Sequence, residues 1–170
     1  MGLFDDLLED AGAAPPWGRI AATFLSGLQT AQAGGGKVVV PAGEWRVDGP
    51  IHLRSNVNLH VARGATLKFS NDPLHYLPAV FTRFEGTELL NYSPLVYALD
   101  QENIALTGGG TLDGQAGSGA WWPWKGKWGG EVEHGWRQGD PDQTAAVKRL
   151  GELSDAGTPP AERQFGDGDR

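Results

Sequence analysis

The sequence predicts an all-β chain, a right-handed parallel β-helix with a capping helix ahead of its first coil. Three observations carry that expectation. The first is alternation with a period of two, at Val57 and Leu59 and again at Ile104 and Leu106, which buries one face of each strand. The second is a repeat. Ser55 to Phe69 and Gln101 to Gly114 share a polar lead ending in asparagine (Asn56, Asn103), an alternating strand, a glycine corner and a matching Thr-Leu pair (Thr66-Leu67, Thr111-Leu112). Recurrence after about 47 residues is the pattern of a coiled parallel solenoid and suits two coils of roughly 20–25 residues. The third is a stretch from Trp17 to Ala33 whose apolar residues (Trp17, Ile20, Phe24, Leu25, Leu28) fall at helical spacing. A helix there would cover the open end of the first coil, whose bare strand edges otherwise invite aggregation.

Composition agrees with a turn-rich β architecture. The chain has 170 residues, enough for one domain with a core, and its 26 glycines and 11 prolines sit between apolar strands rather than in low-complexity runs. A formal charge of −7 without a Lys/Arg cluster argues against nucleic acid as a partner. Cysteine is absent, which excludes disulfides and thiolate metal sites, and no apolar run approaches membrane length. No cofactor or metal is expected. The N-terminus, Met-Gly-Leu-Phe-Asp-Asp, places acids where a secretory signal has a basic start. No export signal is read in it, and the compartment stays open.

Taken in order, residues 1–16 form an acidic tail ending in Ala-Ala-Pro-Pro. Gly34-Gly-Gly36 stops the helix. Strands are expected near 37–40, 44–47, 51–53, 57–61, 66–69, 95–99, 104–107 and 110–112, stacked in parallel, with Val57, Leu59, Ile104 and Leu106 pointing inward. His52 and His60 alternate along strands without a further ligand at metal-like spacing, so neither is read as a site.

The succession Gly34-Gly-Gly-Lys-Val-Val-Val-Pro-Ala-Gly43, Gly49-Pro-Ile-His-Leu-Arg-Ser-Asn-Val-Asn-Leu-His60 and Gly64-Ala-Thr-Leu-Lys-Phe-Ser70 resembles the N-terminal part of the pectin-degrading polygalacturonases of glycoside hydrolase family 28. The likeness continues through Tyr76-Leu-Pro78, Asn91-Tyr-Ser-Pro-Leu-Val-Tyr97, Gly110-Thr-Leu-Asp-Gly114 and Trp121-Trp-Pro-Trp-Lys125, and returns faintly at Arg163-Gln-Phe-Gly166. The resemblance implies a right-handed parallel β-helix and inverting hydrolysis of galacturonate-containing polysaccharide. It also implies catalytic motifs (Asn-Thr-Asp, Asp-Asp, Gly-His-Gly, Arg-Ile-Lys) along later coils, and none of these stands in the strands here. Asp5-Asp6 lies in the tail, and Glu133-His134-Gly135 departs from the histidine motif. No catalytic residue is therefore assigned, and the expectation is a truncated solenoid, the front fragment of such an enzyme, inactive alone.

Glycoside hydrolysis needs one carboxylic acid on the leaving oxygen and a second carboxylate acting on water or the sugar. Glu85, Glu88, Asp113, Glu131 and Glu133 are scattered and read as solvated surface acids. Two stretches offer contacts to sugar. Trp121, Trp122 and Trp124 open a run rich in tryptophan, whose faces stack on pyranose rings; packing against the β-helix flank is the competing reading. Arg83 offers a partner for a uronate carboxylate, against a structural ion pair with Glu85 or Asp72. Residues 17–125 are read as coils with their capping helix. Residues 126–170 are read as a polar tail with one short helix near Gln143–Leu153, capped by Asp142, and with nothing to dock against. The expected partner is pectic polysaccharide or oligogalacturonide, and self-association through the exposed end of the β-helix is expected too. A non-catalytic carbohydrate-binding β-helix is the alternative function. A polysaccharide lyase on the same solenoid ranks below it, for want of clustered aspartates that would hold calcium.

Overall fold

The computed structural model describes residues 35–127, 134–166 and 168. The acidic tail and the helix expected over 17–33 lie outside the described residues. Among the described residues there are ten strands: β1 (Gly36–Val40), β2 (Gly43–Val47), β3 (Ile51–His52), β4 (Val57–Val61), β5 (Ala65–Phe69), β6 (Val80–Phe84), β7 (Thr87–Asn91), β8 (Val96–Tyr97), β9 (Ala105–Gly108) and β10 (Thr111–Asp113). The α-helix among the described residues, α1, runs Thr144–Asp155.

Eight of these strands form three parallel sheets in the orders β1-β4-β9, β2-β5-β10 and β3-β8. The alternation in sequence explains their packing. β4 and β5 bury every second residue, Val57, Leu59, Val61 and Ala65, Leu67, Phe69, and these meet Val38, Val40, Val47 and Ile51 in one core. Paired residues of a parallel sheet point to the same face, so register turns the pattern into columns: Val38–Leu59–Leu106 in one sheet and Trp45–Leu67–Leu112 in the next.

The register corrects the reading of the repeat. Leu59 pairs directly with Leu106, so the 47-residue interval is a single step between neighbouring strands, whereas the step before it, Val38 to Leu59, takes 21 residues. The longer step accommodates a 3-10 turn (Pro73–Tyr76) and the antiparallel hairpin β6–β7, which the sequence reading did not anticipate. The hairpin turns at Glu85 and Gly86, with φ of 47° and 91°, the positive pair that a two-residue hairpin turn requires.

The columns end unevenly. Val57 and Leu59 are fully buried, but Ile104 is 37% and Leu106 47% exposed. Leu106 stands on the core face in register with Leu59, yet β9 is the last strand of its sheet among the described residues, and nothing covers its far side. Of the four residues expected to point inward, Val57 and Leu59 are buried, Leu106 shares Leu59's face but is exposed, and Ile104 is exposed just before β9. β9 leaves β4 at a close approach: a Cβ on Gly108 (φ 105°) would lie 1.9 Å from the Val61 carbonyl oxygen, which excludes any other residue there. The asparagines that open the two halves of the repeat also stack. Asn56 and Asn103 both have positive φ (66° and 53°), and the Asn103 amide donates to Asn56 Oδ1 at 2.8 Å.

The C-terminal segment is not a tail without a dock. Leu150 of α1 and Phe165 bury against Leu89 of β7 in a second small core. Gln164 pairs in parallel with Leu90, through Leu90 N to Arg163 O at 2.9 Å and Phe165 N to Leu90 O at 2.8 Å. Arg163 fastens the segment by donating to the Glu88 and Thr158 carbonyls at 3.0 and 2.8 Å. The helix begins at Thr144, whose N–H donates to Asp142 Oδ1 at 2.8 Å. The hairpin that lengthened the coil supplies the surface on which this segment lies.

Candidate functional site

The tryptophans fall on two sides of one short turn. Residues Trp122–Lys125 form a 3-10 turn, in which positions three apart eclipse, so Trp121 and Trp124 share a side while Trp122 takes another. Trp121 packs edge-on to Trp124 with ring centroids 5.2 Å apart, and also to Tyr76 at 6.0 Å; Trp124 meets Tyr92 at 5.9 Å. Trp122 is 48% exposed and stands edge-on to the ring of His134 at 5.4 Å.

Between these rings lies a cavity of about 310 Å³, lined by Tyr76, Tyr92, Ser93, Leu95, Trp121 and Trp124 among others. The elements around it hold the rings firmly. Trp121 Nε1 donates to the Gly114 carbonyl at 2.8 Å. The Tyr76 hydroxyl donates to the Ser70 carbonyl at 2.6 Å; burial, and then the charge of Asp48, push its pKa up to about 12. Sequence reasoning missed Tyr76 and Tyr92. Their motifs are visible, but only folding brings residues 76 and 92 to the tryptophan turn, and no periodicity marks that meeting.

Arg83 does not line this cavity. It is exposed on β6 and pairs across the hairpin with Glu88, Nη2 to Oε1 at 2.8 Å, the residue directly opposite in register. Its ion pair is thus with neither Glu85 nor Asp72. The candidate acids stay apart. Glu85 occupies the hairpin tip, Glu88 is held by Arg83, and Asp113 accepts from the Gln115 N–H at 2.8 Å at the end of β10. Glu131 and Glu133 lie outside the described residues. Among the described residues, no three His, Asp or Glu side chains gather as metal ligands would.

Two histidine–hydroxyl pairs have the residue types of a nucleophile and its base without the setting. Ser93, buried, donates to the Pro94 carbonyl at 3.1 Å and lies 3.0 Å from His52 Nε2. His60 Nδ1 bonds Thr107 Oγ1 at 2.9 Å, and Thr107 donates to Asn58. The second joins the neighbouring strands β4 and β9, and the first ties β3 to the loop before β8. Burial, and then Arg54, lower the His52 pKa below its ordinary 6.5. A depressed histidine pKa means that the unfolded chain takes up the proton first, so this contribution to stability is complete above pH 6.5 and is lost as pH falls through the folded value. In Tm measured against pH, His52→Gln is expected to flatten the decline between neutral and mildly acidic pH; an unchanged slope would contradict this.

No family model and no curated protein matches the chain. Among solved structures it is similar to a hyperthermoactive exopolygalacturonase from Thermotoga maritima, with a TM-score of 0.80 and 50% identity across 95% of this chain. The chain is thus similar to part of a polygalacturonase of glycoside hydrolase family 28. It spans 35% of that exopolygalacturonase's length. The ordered glycine turns of this polygalacturonase-like chain and its Trp-Trp-Pro-Trp run are among the features that carried the resemblance in the sequence.

Proposed function

We propose that the chain forms coils of a right-handed parallel β-helix of polygalacturonase type, closed in front by a helix over 17–33, and that its ligand is pectic, galacturonate-containing polysaccharide. The observation that carries this reading is the 50% identity to an exopolygalacturonase together with three parallel sheets in register around one core. Trp121, Trp122, Trp124 and Arg83 are the proposed sugar contacts. Trp122 offers an exposed face for stacking, Trp121 and Trp124 the walls of the aromatic cavity, and Arg83 a cation that already holds Glu88.

Hydrolysis is not proposed for these residues alone. The reaction needs two carboxylates across one bond, and the described acids occupy separate elements with local partners. The second reading, a module that holds sugar without cutting it, draws on the same observation. Polygalacturonate incubated with the purified chain is expected to yield new reducing ends no faster than buffer, from acidic to neutral pH. Pectic oligomers should still quench tryptophan fluorescence, and Trp122→Ala should weaken that binding. Turnover that disappears on substituting Glu85, Asp113 or Glu133 would overturn this assignment, and absence of any binding would overturn the sugar contacts.

A further inference from the structure

The cavity walled by Trp121 and Trp124 has a chemical character that free galacturonate does not match. None of its ten lining residues carries a charge. Several of its hydroxyl and indole groups are already engaged with the protein. Tyr76 bonds Ser70, the Tyr92 hydroxyl accepts from the Gly168 N–H, Ser93 bonds His52 and Pro94, and Trp121 bonds Gly114. A carboxylate entering this space would surrender its water and find no cation and few donors in return, which is costly. An uncharged sugar surrenders far less, and the apolar face of a pyranose suits edge and face contacts with indole and phenol rings. At about 310 Å³ the space lies at the small end of ligand pockets, which run from ~300 to 1,000 Å³.

We propose that this cavity is a subsite for the uncharged, methyl-esterified form of a galacturonate residue, selecting it over the free acid. The inference rests on the reading of the chain as pectin-binding and adds to it which chemical form of the sugar is taken. The commitment to an ester follows from charge: Arg83, the cation proposed for a free uronate, is absent from the lining, so the two forms are held at different places. The methyl group replaces the charge with apolar surface, which the walls can cover.

The test is a fluorescence titration of the full chain with two galacturonate trisaccharides, one fully methyl-esterified and one free, at neutral pH. The ester is expected to bind tighter by on the order of tenfold, the discrimination that refusing an unpaired charge supports. Trp124→Ala should remove the preference, and Trp124→Phe, which keeps a ring in the wall, should retain most of it. Far-UV circular dichroism of both variants shows whether the fold survives; if the alanine variant unfolds, Ala116→Asp, which puts a negative charge into the lining, takes its place and should weaken the ester. Equal binding of both forms would overturn the subsite while leaving the pectin-binding reading intact. A preference that survives in Trp124→Ala would place the selectivity elsewhere and overturn it as well. Failure of both trisaccharides to bind would remove the subsite and the reading beneath it together.

Discussion

Leu67→Ala is expected to destabilise the chain by about 2–5 kcal/mol, and Leu112→Ala by less than half as much. The two leucines share one column, paired residue to residue through β5 and β10, and they carry the same side chain. They differ in what surrounds them. Leu67 is enclosed, with Trp45 on one side, Leu112 on the other and the core beneath; among the described residues Leu112 has a column neighbour on one side only. Truncating Leu67 removes its transfer free energy and leaves a cavity that the strands above and below cannot close. Truncating Leu112 leaves a shelf that solvent already reaches. A domain with about 5–15 kcal/mol in total would show the first change as a large fall in the urea midpoint and the second as a small one. Equal shifts would mean that the columns do not transmit stability from strand to strand, contrary to the stacking logic of repeated coils.

The same columns show what the sequence could disclose. Alternation at Val57, Leu59 and Val61 is visible because one face of β4 is wholly buried, and the matched Thr66-Leu67 and Thr111-Leu112 pairs are neighbours in space. Asn56 and Asn103, recognised as equivalent openings, bond each other. What escaped were features that leave no period. In β6 and β7 only Leu89 is buried, so neither strand alternates, and the Glu85-Gly86 turn lacks the Asn-Gly or Asp-Gly pair that announces a hairpin. Overlooking the hairpin is what made one 47-residue step resemble two coils. The docking of Phe165 and Leu150 on Leu89 is similarly silent, because it joins three residues far apart in the chain. At the aromatic cavity the tryptophans were legible as a cluster. The division between Trp122, which faces solvent, and Trp121 with Trp124, which face Tyr76 and Tyr92, depends on a single 3-10 turn.

The purified chain is expected to self-associate, and the double substitution Leu106→Lys, Leu112→Lys to release monomers. Among the described residues, β8, β9 and β10 are edge strands on the same side of their sheets, opposite β1, β2 and β3. An edge presents unpaired backbone N–H and C=O groups, and proteins commonly guard such edges with lysine, proline or a bulge. Here β9 reads Ala-Leu-Thr-Gly and β10 Thr-Leu-Asp, so Asp113 is the one charge along the two strands. Ile104, Leu106 and Leu112 are exposed beside them, on or near the face that continues the core. Hydrogen-bonding edges next to apolar side chains attract a second copy for the reasons that joined β4 to β9. Lysine at 106 and 112 would set like charges against each other at any such contact. Its long stem can still lie over the core while the ammonium reaches water, so the fold should lose little. Light scattering should report a mass above the 18.1 kDa of one chain for the unaltered protein, rising with concentration, and a single-chain mass for the double variant. An unaltered chain that is monomeric at high concentration, or a double variant that stays associated, would show that this edge is not the contact.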